Sequence, residues 1–98
     1  MCGAPVQDLS LEGIDVAAET IIQGTVTRAG QPEGGAYVRL LDSSGEFTAE
    51  VVTSATGAFR FFARPGSWTV RALGTGNAKT DAQVEAAQGV VTETALSL

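Results

Sequence analysis

Hydrophobic and polar side chains alternate along most of this chain after residue 20. Residues 21–28 show the pattern first, with Ile22 and Val26 on one side of an extended segment and Gln23 and Thr25 on the other. Side chains of a β-strand point alternately to the two faces of a sheet, so this alternation predicts a strand with one buried face. Strand signals return in six further segments, which are residues 36–42, 46–53, 58–62, 68–73, 80–86 and 90–98.

Two of these segments are rich in aromatic residues and flank a turn at residues 64–67, which read Arg-Pro-Gly-Ser. Proline fixes φ and glycine accepts positive φ, so the sequence predicts a reversal of the chain here. Aromatic rings bury the most apolar area per residue. The alternation therefore predicts a core nucleus formed by Phe59, Phe61, Trp68 and Val70.

The spacing of the strands predicts the fold class. Seven short strands separated by turn signals at intervals of about 8 to 12 residues are typical of an all-β sandwich. We expect a single seven-stranded antiparallel β-sandwich over residues 21–98, with a barrel as the alternative. Residues 1–20 contain Gly3, Pro5 and Gly13 and are predicted to form an extended N-terminal arm with a mobile tip.

The composition narrows the classes of function. The formal charge is -5, which disfavours nucleic acids and anionic membranes as partners because phosphates attract lysine and arginine. Histidine is absent, which removes the commonest general base and the commonest metal ligand. The acidic residues form no convincing catalytic pair, and residues 42–46 are too sparse in oxygen ligands for calcium. We therefore expect no enzymatic activity, no metal and no cofactor.

Cys2 is the single cysteine, so an internal disulfide cannot form. No basic segment and no apolar h-region precede it, and no apolar run approaches the ~20 residues of a membrane span. These features predict a cytoplasmic protein with a free thiol.

Three arginines share their strand phases with apolar residues on the side away from the predicted core. Arginine mixed with exposed aromatic and aliphatic groups is typical of a protein interface. We expect a partner-binding face, for a protein partner or a second copy of the chain, formed by Tyr37, Arg39, Leu41, Arg60, Phe62, Arg71 and Leu73. The alternative is ordinary cross-strand pairing, for example of Arg39 or Arg71 with Glu46 or Glu50.

The order of these signals resembles a known β-sandwich pattern. It runs Ile-x-Gly-x-Val at 22–26, Gly-Gly-Ala at 34–36, Thr-Gly-x-Phe-x-Phe at 56–61 and Pro-Gly-x-Trp-Thr-Val at 65–70. Carboxypeptidase regulatory-like, transthyretin-like and Cna-B-like sandwiches share this order, so the resemblance implies a sandwich of the prealbumin type. In the transthyretin-like arrangement the second and fifth strands pair, which implies that Arg39 and Arg71 lie closest together.

A second resemblance covers nearly the whole chain. The blocks AYVRLLDSSGEFTAEV (36–51) and FRFFARPGSWTVRAL (59–73), with Met-Cys in front, are similar to the small actinobacterial SseC-like proteins. That family is carried as a domain of unknown function, and its genes often lie beside a thiosulfate sulfurtransferase of the rhodanese type. The resemblance implies a cytoplasmic actinobacterial protein with a link to sulfur metabolism. It supplies no established catalytic residue.

Cys2 is the residue most suited to sulfur chemistry. Removal of Met1 by methionine aminopeptidase would leave the thiol beside the α-ammonium group, which favours the thiolate. A thiolate on an extended arm can accept a sulfane sulfur from a thiosulfate sulfurtransferase and carry it as a persulfide. The alternative is that Cys2 is an incidental residue of the tail.

Three classes of function remain. The first, which we favour, is a non-enzymatic interaction protein whose outer arginine and aromatic face binds a partner. The second is a persulfide carrier that acts through Cys2. The third, a stand-alone hydrolase or transferase, is disfavoured because the chain has no histidine and no convincing pair of carboxylates for acid–base catalysis.

Overall fold

The computed structural model describes residues 13–98 and contains eight strands in that range. They are β1 (Ile21–Arg28), β2 (Gln31–Pro32), β3 (Tyr37–Leu41), β4 (Phe47–Val52), β5 (Ala58–Phe62), β6 (Gly66–Leu73), β7 (Lys79–Ala86) and β8 (Val91–Ser97). A 3-10 turn at Thr75–Asn77 joins β6 to β7. The all-β class is confirmed, and the seven predicted segments each match a strand to within two residues at either end.

The strands form two sheets that pack face to face as a β-sandwich. In the first, the β1 sheet, β1 is central, with β5 and the short β2 on one side and β8 on the other. In the second, the β3 sheet, the strand order is β4-β3-β6-β7 and every pair is antiparallel. The core lies between the two sheets and draws residues from both.

The eighth strand comes from a hairpin between the first two of the seven predicted strand segments. Ala29 and Gly30 both have positive φ, of 53° and 81°. Positive φ at both central positions defines a type I′ turn, whose twist matches that of paired strands. The turn folds Gln31 and Pro32 back against the end of β1, and so adds the two-residue strand β2.

The expectation that every strand pair is antiparallel is wrong for β1 and β8, which run parallel from Ile21–Val91 to Thr27–Ser97. The reason is topological. β7 lies at one edge of the β3 sheet, and the chain then crosses to the β1 sheet instead of turning back beside β7. The crossing brings β8 alongside β1 in the same direction.

The aromatic nucleus lies in the core. Phe59 and Phe61 come from the β1 sheet, and their ring centroids are 6.1 Å apart. Trp68 comes from the β3 sheet, is 6% exposed, and donates from its indole N–H to the carbonyl oxygen of Arg64 at 2.9 Å. The indole thus fills the core and also closes the turn that the Arg-Pro-Gly-Ser sequence predicts.

Gly57 shows why the Thr-Gly-x-Phe-x-Phe motif needs its glycine. Its φ is +76°, and an added Cβ would lie 2.4 Å from the carbonyl oxygen of Val26. The backbone of Val26 donates to the Gly57 carbonyl at 2.8 Å, which holds the two segments together. The motif therefore fixes the approach of the turn before β5 to the end of β1.

Residues 13–20 lead into β1 through one hydrogen-bonded turn, in which the amides of Ala18 and Glu19 donate to Asp15 O at 3.0 and 3.1 Å. The carbonyl of Glu19 accepts from Gly89, in the turn before β8, at 2.8 Å. Residues 1–12, with the predicted mobile tip, lie outside the described residues.

Candidate interaction face

A row of four charged residues crosses the outer face of the β3 sheet. Arg39 on β3 lies directly opposite Arg71 on β6, and the two edge strands contribute Glu50 on β4 and Asp81 on β7. The row therefore reads carboxylate, arginine, arginine, carboxylate across the sheet. β3 and β6 are the second and fifth of the seven predicted strands, which are the two strands that pair in the transthyretin-like arrangement.

Like charges directly opposite each other on a sheet repel, so the two arginines need compensation. Arg39 Nε contacts Glu50 Oε2 at 2.7 Å. Arg71 makes a two-pronged contact with Asp81, at 2.8 Å from Nε to Oδ1 and 3.0 Å from Nη2 to Oδ2. These hydrogen bonds lower the pKa of Asp81 below its ordinary value. Each arginine is thus fixed toward its own edge strand.

Apolar side chains surround this row. Tyr37, Phe47 and Val52 are 51%, 60% and 47% exposed, and Leu73 is half-buried opposite Tyr37. The guanidinium carbon of Arg39 lies 6.0 Å from the centre of the Phe47 ring, within cation–π range. We use the name arginine face for the set Tyr37, Arg39, Phe47, Glu50, Val52, Arg71, Leu73 and Asp81.

The seven residues that alternation places outside do not form one surface. Tyr37, Arg39, Arg71 and Leu73 lie together on the arginine face, because their strands are paired. Arg60 and Phe62 lie on the outer side of the β1 sheet, because β5 pairs with β1. The prediction of a single face is therefore wrong, because the predicted residues are divided between the outer sides of two sheets. Alternation gives the phase of each strand but not the sheet to which the strand belongs.

Leu41 keeps its outward phase, opposite Thr69 of β6, but its side chain is only 7% exposed and does not serve as an exposed contact residue. The cause is a register shift between Leu40 and Leu41, which places Phe47 opposite Leu41. An extra residue in one strand reverses the alternation beyond it. The same bulge therefore brings Phe47, which strict alternation would turn inward, onto the arginine face.

Arg60 has a different environment from the other two arginines. It is half-buried, and its Nε donates at 2.8 Å to the side chain of Gln23, which is itself buried. Phe62, on the same strand, is 56% exposed. This pair belongs to the opposite side of the molecule from the arginine face.

Cys2, the predicted persulfide acceptor, lies outside the described residues. Within residues 13–98, no helix is long and apolar enough to cross a membrane.

These observations define a class of protein: a two-sheet β-sandwich with an arginine–carboxylate row and exposed aromatic residues on one outer face. The chain belongs to the family described as protein of unknown function (DUF1416), which matches residues 2–98.

Several relatives of this chain are described as uncharacterised proteins. Two uncharacterised proteins of Mycobacterium tuberculosis are each 64% identical over 75 residues, which cover 74% of this chain and 75% of the relative. An uncharacterised protein of Mycolicibacterium smegmatis is 65% identical over 69 residues, which cover 66% of this chain and 77% of that protein.

Several solved structures are similar in fold. The TIE protein of Bacillus anthracis superposes with a TM-score of 0.67 at 14% identity, over 79% of this chain and 16% of that chain. The major pilin subunit BcpA of Bacillus cereus gives 0.62 at 14% identity, over 81% of this chain and 29% of that chain. A dioxygenase domain from a Streptomyces fusion protein gives 0.64 at 14% identity, over 100% and 91%. These likenesses concern the fold alone, and this chain spans under a third of the first two proteins.

Proposed function

We propose that this protein is a non-enzymatic interaction protein that binds a protein partner through the arginine face. The observation that carries the proposal is the exposure of Tyr37, Phe47 and Val52 around the paired arginines. A solvated sheet face ordinarily carries polar side chains, so large exposed apolar groups around an arginine row favour an interaction site. Arginine and tyrosine are also the residue types that most often dominate the energy of an interface.

The ion pairs prepare the face for binding. Immobilising a long side chain at an interface costs about 0.5 to 1.5 kcal/mol. Arg39 is held by Glu50 and by the ring of Phe47, and Arg71 by both oxygens of Asp81. A partner therefore meets two guanidinium groups whose positions are set by contacts within the sheet. A binding role also agrees with the lack of histidine in the sequence.

The partner to test first is a thiosulfate sulfurtransferase from the same organism, because the SseC-like resemblance implies a link to sulfur metabolism. We expect Tyr37→Ala to weaken binding about tenfold or more in isothermal titration calorimetry, since it removes an exposed aromatic contact at the arginine face. Phe62→Ala is the matched control, because it removes an equally exposed ring from the other sheet. Its Kd should stay within about twofold of the wild-type value, below the effect of a dominant contact.

The proposal also allows a second copy of the chain as the partner, so the oligomeric state is measured by light scattering on the same samples. A dimer that Tyr37→Ala dissociates would support the proposal. A strict monomer that binds no sulfurtransferase would contradict it, as would equal effects of Tyr37→Ala and Phe62→Ala.

A persulfide-carrier role for Cys2 is a second proposal, supported by two facts. Cys2 is the only cysteine, and the family match includes it. The chemistry is a transfer in which the thiolate of Cys2 attacks the outer sulfur of the sulfurtransferase persulfide and releases the enzyme thiolate.

Incubation with the sulfurtransferase and thiosulfate should therefore raise the mass of the protein by about 32 Da, the mass of one sulfur atom. Mass spectrometry of the intact protein and its N-terminal peptide measures this, and dithiothreitol should remove the adduct. The Cys2→Ser variant is the control and should gain nothing. An unchanged wild-type mass would exclude the carrier role without affecting the interaction proposal.

A further inference from the structure

We infer that the free edge of β4 docks an extended basic segment of a partner protein, which adds to the β3 sheet as a fifth strand. The inference rests on the proposed binding function. It names how the partner attaches and what chemistry its contact segment carries. Strand addition supplies affinity through main-chain hydrogen bonds and specificity through alternate side chains.

β4 is the most open long strand of the described part of the chain. Among residues 13–98, it lies at an edge of the β3 sheet and pairs there with β3 alone. Among the strands of five or more residues within 13–98, it is the one without a buried residue. β7, at the opposite edge, is contacted by β8, where the Thr92 hydroxyl donates to the carbonyl of Glu85 at 3.1 Å.

The hydrogen-bond phase of β4 identifies which backbone groups are available. The amide of Thr53 donates to the carbonyl of Ala36 at 2.9 Å. Along an antiparallel pair, the backbone groups of successive residues point alternately toward the partner strand and away from it. The N–H and C=O groups of Val51 therefore point toward β3, and those of Glu50 and Val52 point toward the free edge. An added strand can therefore bond to both residues without disturbing the existing ladder.

The charge of this edge selects a basic segment. Residues 42–52 contain three carboxylates, Asp42, Glu46 and Glu50, and no lysine or arginine. Arg39 contacts Oε2 of Glu50, and a carboxylate has further acceptor sites on its second oxygen. A lysine or arginine placed opposite Glu50 would form a favourable cross-strand pair.

The neighbours of Glu50 set the rest of the preference. Val52 and Phe47 are exposed on the same side of β4. In the added strand, apolar residues two positions before and two positions after the basic residue would lie beside these two side chains. A second copy of this chain is the less favourable occupant. It would bring the same three carboxylates of residues 42–52 against this edge, in a chain of net charge -5.

A capped heptapeptide with the sequence SVTKTVS meets these requirements, and SVTETVS is its charge-reversed control. In NMR titrations of the ¹⁵N-labelled full chain, the first peptide should shift the amides of Glu50 and Val52 more than that of Val51. Its Kd should be about fivefold or more lower than that of the control, because opposite charges favour and like charges disfavour a cross-strand pair. Glu50→Lys should reverse the order of the two peptides.

Val52→Pro tests strand addition while keeping the fold. Its N–H points to the free edge, and proline is tolerated on edge strands at such positions. We expect an unchanged melting temperature to within a few degrees and loss of peptide binding. Circular dichroism verifies the fold of this variant and of Glu50→Lys before either is titrated.

Each other outcome overturns the inference. Equal binding of both peptides, absence of amide shifts at Glu50 and Val52, or full binding by Val52→Pro would exclude a basic strand at this edge. Self-association abolished by Val52→Pro would identify a second copy as the occupant instead. If Tyr37→Ala loses sulfurtransferase binding while neither peptide shifts the amides of Glu50 and Val52 in the wild-type chain, the arginine face binds its partner and the edge does not.

Discussion

Gly24→Ala should destabilise the fold by about 3 kcal/mol or more, because the core there has no room for a methyl group. An alanine Cβ at this position would lie 1.7 Å from the carbonyl oxygen of Thr94 and 3.0 Å from the ring of Phe59. The oxygen belongs to the backbone of β8, so relief would require β1 and β8 to separate. Urea unfolding followed by circular dichroism measures the loss.

Gly30→Ala is the comparison variant, because its cost comes from backbone conformation and not from a clash. Gly30 has a φ of +81° with nothing within 4 Å of an added Cβ. Its substitution should therefore cost only the conformational penalty, about 1 to 2 kcal/mol. If Gly24→Ala is no more destabilising than Gly30→Ala, the conclusion that β8 packs too closely against Gly24 to admit a methyl group is wrong.

Trp68→Ala should cost about 3 to 5 kcal/mol, the range for removing a large buried aromatic side chain. The loss combines the apolar area of the indole with the hydrogen bond to the Arg64 carbonyl. Domains of this size are stable by roughly 5 to 15 kcal/mol, so the variant should melt roughly 15 °C or more below the wild type. Differential scanning calorimetry measures the shift.

Two further variants separate the contributions. Trp68→Phe keeps an aromatic ring but removes the donor to Arg64, and it should lie between the wild type and Trp68→Ala. Phe62→Ala removes a ring that is 56% exposed and should change stability by about 0.5 kcal/mol or less. A Trp68→Ala protein that unfolds at the wild-type urea concentration would mean that the aromatic nucleus does not stabilise the sandwich.

The local alternation of the sequence was sufficient to locate the strands and their inner sides. Ile22, Val38, Phe59 and Val70 are each buried on the side that alternation assigns to the core. This works because the direction of a side chain depends only on its position along its own strand. The last strand shows the limit, because its two phases are similar in sequence and the structure turns Leu96 inward.

The composition of the arginine face was only partly predictable. Tyr37 and Arg71 could be assigned to an outer side from alternation, and the β-sandwich resemblance brought Arg39 next to Arg71. Phe47 was missed because a bulge reverses the phase of β4 at its start. The proximity of residues 46–53 to a Ser-Ser-Gly turn was the available signal, since bulges often accompany such hairpins.

The sequence by itself determined that this chain is an all-β sandwich, where seven of its strands lie, and that an aromatic pair and a tryptophan face inward. Only the tertiary structure decided that β8 runs parallel to β1, that Arg60 is separated from Arg39 and Arg71, and that the two paired arginines are compensated by Glu50 and Asp81. The physical reason is range. Strand phase follows from neighbouring residues, whereas sheet membership and register follow from contacts between segments far apart in the chain.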